Sequence, residues 1–172
     1  MPEVAFHIRP VRSHDDLEAV VRLFEAYAAS LPIDLAYQDF ALELAGMPGK
    51  YAPPAGELLL ARGMDGEPLG CVGLRPIGAA EGCCEMKRLY VSPEGRGLGL
   101  GHALVAAIIR EGSQIGYREM RLDTLPSMAQ AISLYQKAGF VPIAPYYETP
   151  VEGTLFLARP LVVEGECVVR GE

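Results

Sequence analysis

The stretch that decides the fold is C-E-M-K-R-L-Y-V-S-P-E-G-R-G-L-G-L-G-H-A-L, from Cys84 to Leu104. Cys84 to Val91 is short, apolar and closed by Ser92-Pro93, so it reads as a buried strand with charged residues set into it. Gly95 to Gly101 then places a glycine at every second position. From Leu98 the pattern turns helical, with Leu104, Ile108 and Ile115 recurring at helical spacing. A strand, a glycine-rich turn and a helix in that order make an anion site. Glycine lets a ligand approach the backbone closely, and the free N–H groups and dipole of a helix N-terminus favour negative charge. Arg96 adds a charge-assisted donor. A phosphate or pyrophosphate is the natural guest.

Two common phosphate loops are excluded by spacing. In G-x-G-x-x-G a third glycine would stand three residues after Gly97, Gly99 or Gly101, where this chain has Leu100, His102 and Leu104. No G-x-x-x-x-G-K-[ST] occurs either. What remains is R-x-x-G-x-G, as Arg96, Gly99 and Gly101, behind an L-Y-V-x-P strand end. Together with L-Y-Q-K-A-G-F at Leu134 to Phe140, it resembles the acyl-CoA loop of the GNAT superfamily of N-acetyltransferases.

The flanking sequence supports a chain order β-α-α-β-β-β-α-β-α-β-β. Phe6 to Val11 is a first strand. Ser13 caps an amphipathic helix that carries Leu17, Val20, Val21, Phe24 and Tyr27 and runs to about Ser30. A weaker helix is expected over Tyr37 to Ala45, and a turn-rich loop over Gly46 to Gly56. Glu57 to Arg62 and Pro68 to Leu74 form a hairpin about Asp65-Gly66. Arg118 to Thr124 is a strand, Met128 to Lys137 a helix with Gly139 at its C-cap, and Gly153 to Ala158 a core strand. Val162 to Val169 reads as a tail that adds an edge strand. This order matches the GNAT architecture over roughly Phe6 to Leu161. The resemblance implies an α/β (α+β) fold, with a mixed sheet of about seven strands splayed between the fourth and fifth and about four flanking helices. The whole chain, residues 1–172, is expected to form a single such domain, with its core over about 6–161 and a tail over 162–172.

Composition bounds the partners. The chain has 172 residues, 50% hydrophobic and 22% charged, with a formal net charge of −7. No basic run exceeds Lys87-Arg88, which argues against nucleic acid. No apolar run approaches the ~20 residues that span a bilayer, and Met1 to Pro10 lacks a signal-peptide core, so a cytoplasmic location is expected. An acidic surface mildly favours a cationic amine as substrate, though net charge also simply serves solubility. Cys71, Cys83, Cys84 and Cys167 form no C-x-x-C and complete no zinc set, so reduced thiols and no metal are expected. His7 and His14 read as surface or core residues.

The resemblance also implies roles. The backbone of Leu89, Tyr90 and Val91 would hold pantetheine in the splay, with the Leu89 amide polarising the thioester carbonyl. The pyrophosphate of acetyl-CoA would rest on Gly97, Leu98, Gly99, Leu100 and Gly101, with Arg96 and His102 at its edge. Glu85 resembles the general base of the histone-acetyltransferase branch. It shares a strand face with Leu89 if the strand's bulge falls later; the alternative is a structural Glu85 paired with Lys87 or Arg88. Tyr135 matches the tyrosine that protonates the departing thiolate, against the alternative of a plain core tyrosine. Met128 stands where relatives often carry a cofactor-contacting asparagine. Cys84, one residue before Glu85, would face away, so direct transfer to a primary amine is expected rather than an acyl-enzyme. Tyr37, Tyr51, Tyr146 and Tyr147 are candidates for the acceptor pocket, or else packing residues. A non-catalytic acyl-CoA-binding or sensing domain is the alternative function. Homodimerisation through the tail is compatible with either.

Overall fold

The structure, a computed structural model, describes residues 5–78 and 81–162. Strand β1 (Phe6–Pro10) leads to helix α1 (His14–Ser30). Ser13 caps that helix by accepting the Asp16 amide, with Asp15 and Asp16 in the first turn against the helix dipole. The second helical region is two pieces rather than the single expected helix. A 3₁₀ turn (Leu35–Gln38) is separated from α2 (Phe40–Ala45) by Asp39, whose left-handed φ of 55° interrupts the spiral. A further 3₁₀ turn (Gly49–Tyr51) lies inside the expected loop.

Strands β2 (Glu57–Gly63), β3 (Pro68–Pro76) and β4 (Cys83–Val91) follow, then α3 (Leu100–Ile115), β5 (Glu119–Thr124), α4 (Ala129–Lys137), β6 (Val141–Pro142) and β7 (Leu155–Pro160). They build a seven-stranded sheet ordered β1-β2-β3-β4-β5-β7-β6. Every neighbouring pair is antiparallel except β4 with β5. The tail expected to add an edge strand and a dimer contact, Val162 to Val169, lies outside the described residues except for Val162, which is exposed.

Each face of the sheet carries its own core. Cys84, Met86, Met120 and Leu122 pack with Leu104, Ile108 and Tyr135 under α3 and α4. Leu58, Leu60 and Cys71 pack with Val20, Leu23, Phe24 and Tyr51 under α1. Burying one such side chain stabilises by ~1.5–3 kcal/mol, and only a strand with both faces apolar draws on both cores. That is why β2 reads as a continuous apolar run from Leu58 to Ala61, and why the charges buried within β4 need explaining.

Two irregularities of β4 make the site. Its parallel pairing with β5 ends after three residues, at Glu85 opposite Arg121, so the two strands diverge beyond that point. On the other side, Cys71 faces Tyr90 while Gly73 faces Lys87, so β4 has one residue more than β3 over this step. This is a bulge at Arg88, whose φ is 58°. The Cys71 thiol donates to the Arg88 carbonyl at 3.5 Å.

Candidate active site

The bulge reverses the alternation of β4. Glu85 and Lys87 point to the α1 side, and so does Arg88, because the extra residue sets two neighbours on one face. Leu89 then packs into the α3–α4 core. The bulge therefore falls before Leu89, and the side chains of Glu85 and Leu89 lie on opposite faces, contrary to the sequence reading. Leu89 has no register partner on β3 or β5, so its backbone borders the splay. A cavity of about 40 Å³ follows this gap, lined by Met86, Lys87 and Leu89 from β4 and by Leu122 and Asp123 from β5. Tyr135 of α4 lines it too, with no hydrogen bond to its hydroxyl among the described residues. Burial raises the Tyr135 phenol above its ordinary value, which keeps its proton on. Met128 lines the same cavity.

Beyond the end of β4 the chain makes a short 3₁₀ turn (Pro93–Gly95) and enters α3 through Gly97 (φ 81°) and Gly99 (φ 75°). A left-handed φ is strained for other residues, and a Cβ at either glycine would meet nothing within 4 Å, so the backbone there is uncovered. Among the described residues, no acceptor takes a hydrogen bond from the amides of Gly97 to His102. The first helix bond is Ala103 to Gly99. Gly101 belongs to the helix, where a Cβ would stand 3.1 Å from Leu134, so this glycine lets α3 approach α4. Arg96, Leu98 and His102 are exposed beside the loop. The open amides, the uncovered glycines and the adjoining splay fit an extended anionic ligand such as an acyl-CoA.

On the α1 side, every charge on β4 has a partner. Glu85 does not pair with Lys87 or Arg88, as the alternative reading had it. Its Oε1 accepts from Arg75 Nε at 3.0 Å and its Oε2 from the Tyr146 hydroxyl at 2.6 Å. Arg88, 2% exposed, makes a two-pronged bond to Glu43 at 3.0 and 3.1 Å and donates to Gln38 at 2.9 Å. Its guanidinium lies 5.1 Å from the centre of the Phe40 ring. Lys87, 5% exposed, lies 3.5 Å from Asp123 and donates to Gln38 at 3.2 Å. Burial draws the Lys87 ammonium below the ordinary lysine value, with Asp123 and Glu85 opposing. Asp123 in turn accepts from the Tyr147 hydroxyl at 2.5 Å. Tyr146, Tyr147 and Phe156 pack edge to face, which holds the two hydroxyls over the two carboxylates.

Of the four candidate pocket tyrosines, Tyr37, Tyr146 and Tyr147 line a cavity of about 300 Å³ with Arg75, Glu85 and Lys87. Tyr51 is core: it packs on Phe24, and its hydroxyl donates to Glu43. Cys84 faces the α3 core, opposite Glu85, and burial pushes its thiol up to about 12, far from a ready nucleophile. His7 and His14 are exposed. The sequence reading missed Gln38, Glu43, Arg75 and Asp123. The available signal was Lys87-Arg88 in mid-strand, since buried charges require partners.

A family model described as the acetyltransferase (GNAT) family matches residues 20–140. The chain belongs to that family. It is an acyl-CoA-dependent acetyltransferase. An uncharacterized N-acetyltransferase of Schizosaccharomyces pombe is 43% identical over 150 residues, covering 87% of this chain and 91% of that protein. A GNAT-family acetyltransferase from Staphylococcus aureus superposes with a TM-score of 0.74 at 20% identity, over 91% of this chain and 99% of the other. A phosphinothricin acetyltransferase from Sinorhizobium meliloti, solved in complex with acetyl-CoA, gives 0.68 at 21% identity, over 92% and 89%. The chain thus shares its fold with these acetyltransferases.

Proposed function

We propose that the protein transfers the acetyl group of acetyl-CoA directly to a primary amine within a ternary complex. The observation that carries this reading is that the cavity in the β4–β5 splay adjoins a larger polar cavity: Tyr37, Gln38 and Lys87 line both and mark their junction. Acetyl-CoA as substrate would lay its pyrophosphate on the amides from Gly97 to Gly101, with Arg96 and His102 beside it. Its pantetheine would run along Leu89, Tyr90 and Val91. The Leu89 amide would donate to the thioester carbonyl and to the oxyanion that develops on attack.

Attack requires a neutral amine, and an unperturbed alkyl amine has a pKa near ~10.4. Glu85 is the carboxylate in the acceptor cavity closest along β4 to the splay, and it takes the proton through a water molecule or along its bond with Tyr146. The C–N bond forms, the C–S bond breaks, and Tyr135 gives its proton to the departing CoA thiolate. Bulk water then restores it.

The test is CoA-thiol release from acetyl-CoA over a panel of primary amines. Tyr135→Phe is expected to lower kcat about a hundredfold with acetyl-CoA affinity unchanged, and Glu85→Gln to lower kcat/KM by a similar factor. Wild-type rates in both variants would leave acyl-CoA binding without these catalytic roles.

A further inference from the structure

On the acceptor side the buried carboxylates Glu43, Glu85 and Asp123 are engaged, whereas Arg75 and Lys50 keep donors without an acceptor among the described residues. Both oxygens of Glu43 accept from Arg88, and one also accepts from Tyr51. Those of Glu85 are engaged by Arg75 and Tyr146, and those of Asp123 by Lys87 and Tyr147. Arg75 contributes only its Nε–H to this network. Its nearest further carboxylate oxygen, on Glu43, is 3.6 Å away, so its four Nη hydrogens have no acceptor among the described residues. The side chain is 26% exposed; Glu85 holds its neck and Glu43 attracts one end of its fork, and the fork lines both lobes. Lys50 is exposed on the same wall and also has no partner among the described residues.

These two cations stand where two lobes meet. One lobe, about 300 Å³, contains Glu85 and Tyr146; the other, about 430 Å³, lies over Leu42 and Pro48. Arg75, Lys50 and Gln38 line both. A ligand whose amine sits by Glu85 therefore brings its next few atoms against Arg75 and Lys50. A wall that offers hydrogen-bond donors and positive charge, its buried anions already bonded, takes an anionic acceptor group. Glu148 on the first lobe and Asp39 on the second are the opposing charges, and both are exposed. Building on the transferase reading above, we infer that the acceptor is a small amine that also carries a carboxylate, bound by the Arg75 fork and Lys50. The chain's net charge of −7 would point instead to a cationic acceptor; the local donors outweigh it because they touch the ligand.

The experiment measures CoA release by the full chain with acetyl-CoA and matched acceptors: L-amino acids and β-alanine, each beside its carboxamide and its decarboxylated amine. Phosphoethanolamine beside ethanolamine forms a separate arm. The expected result is kcat/KM at least tenfold higher for a carboxylate than for its carboxamide. Lys50→Ala should shrink that ratio by raising KM for the carboxylate alone, and Arg75→Lys, which also touches Glu85, should shrink the ratio whatever it does to the rate common to both acceptors. A carboxamide or plain amine used as well as its carboxylate would overturn the inference and leave the transferase standing. So would variants that slow both acceptors equally, or a preference for phosphoethanolamine over every carboxylate. If acetyl-CoA binds and no amine of any kind releases CoA, the transferase reading falls and this inference with it.

Discussion

The two sides of the β4–β5 splay are built from different materials. The side proposed for the cofactor is backbone: amides from Gly97 to His102 and two glycines at positive φ, all within one short stretch. The acceptor side is side chains, drawn from α2, β3, β4, β5 and the segment after β6, and bound into one network through Arg88, Lys87 and Glu85. A backbone site tolerates changes around it as long as its φ values hold. A network of buried charges depends on each member, because removing one strands another.

That contrast is broken most directly at Glu43. Glu43→Ala would leave the Arg88 guanidinium buried without its carboxylate, and a loss of ~3–5 kcal/mol is expected in urea unfolding. A cost under ~1 kcal/mol would show that the network does not hold this wall together.

Alkaline titration sharpens it further. Burial raises the phenols of Tyr27, Tyr51, Tyr135, Tyr146 and Tyr147, all on the splay or the acceptor side, and that of Tyr117 elsewhere. A raised folded-state pKa means that the unfolded chain releases these protons first. The stabilisation is therefore complete below about pH 10 and is lost as pH rises beyond it. Lys87, lowered by burial, opposes the trend as a single group. The phenolate absorbance of these buried tyrosines is expected to appear together with unfolding; their gradual ionisation in a folded protein near the ordinary tyrosine value would contradict the packing described.

The same contrast explains what the sequence made legible. The glycine loop, the β4 run and the helix caps are local patterns, and each appears where spacing and composition put it. The acceptor wall joins residues far apart in the chain: Gln38 to Arg88, Glu43 to Arg88, Glu85 to Tyr146. No local period encodes such pairs. The bulge was illegible for a related reason, since Arg88 carries no glycine or proline mark and takes a positive φ because Glu43, Gln38 and Phe40 hold its side chain. Only the misfit of Lys87 and Arg88 within an apolar strand hinted at partners elsewhere.

The most direct measurement is calorimetric titration of acetyl-CoA into the wild type, Gly99→Val and Glu85→Gln. A cofactor held by the loop backbone requires the dissociation constant to rise at least tenfold for Gly99→Val, where a β-branched residue cannot keep φ near 75° without strain, and to stay within twofold for Glu85→Gln. Equal binding by all three proteins, or a loss confined to Glu85→Gln, would contradict the division of the site into a backbone side for the cofactor and a side-chain side for the acceptor.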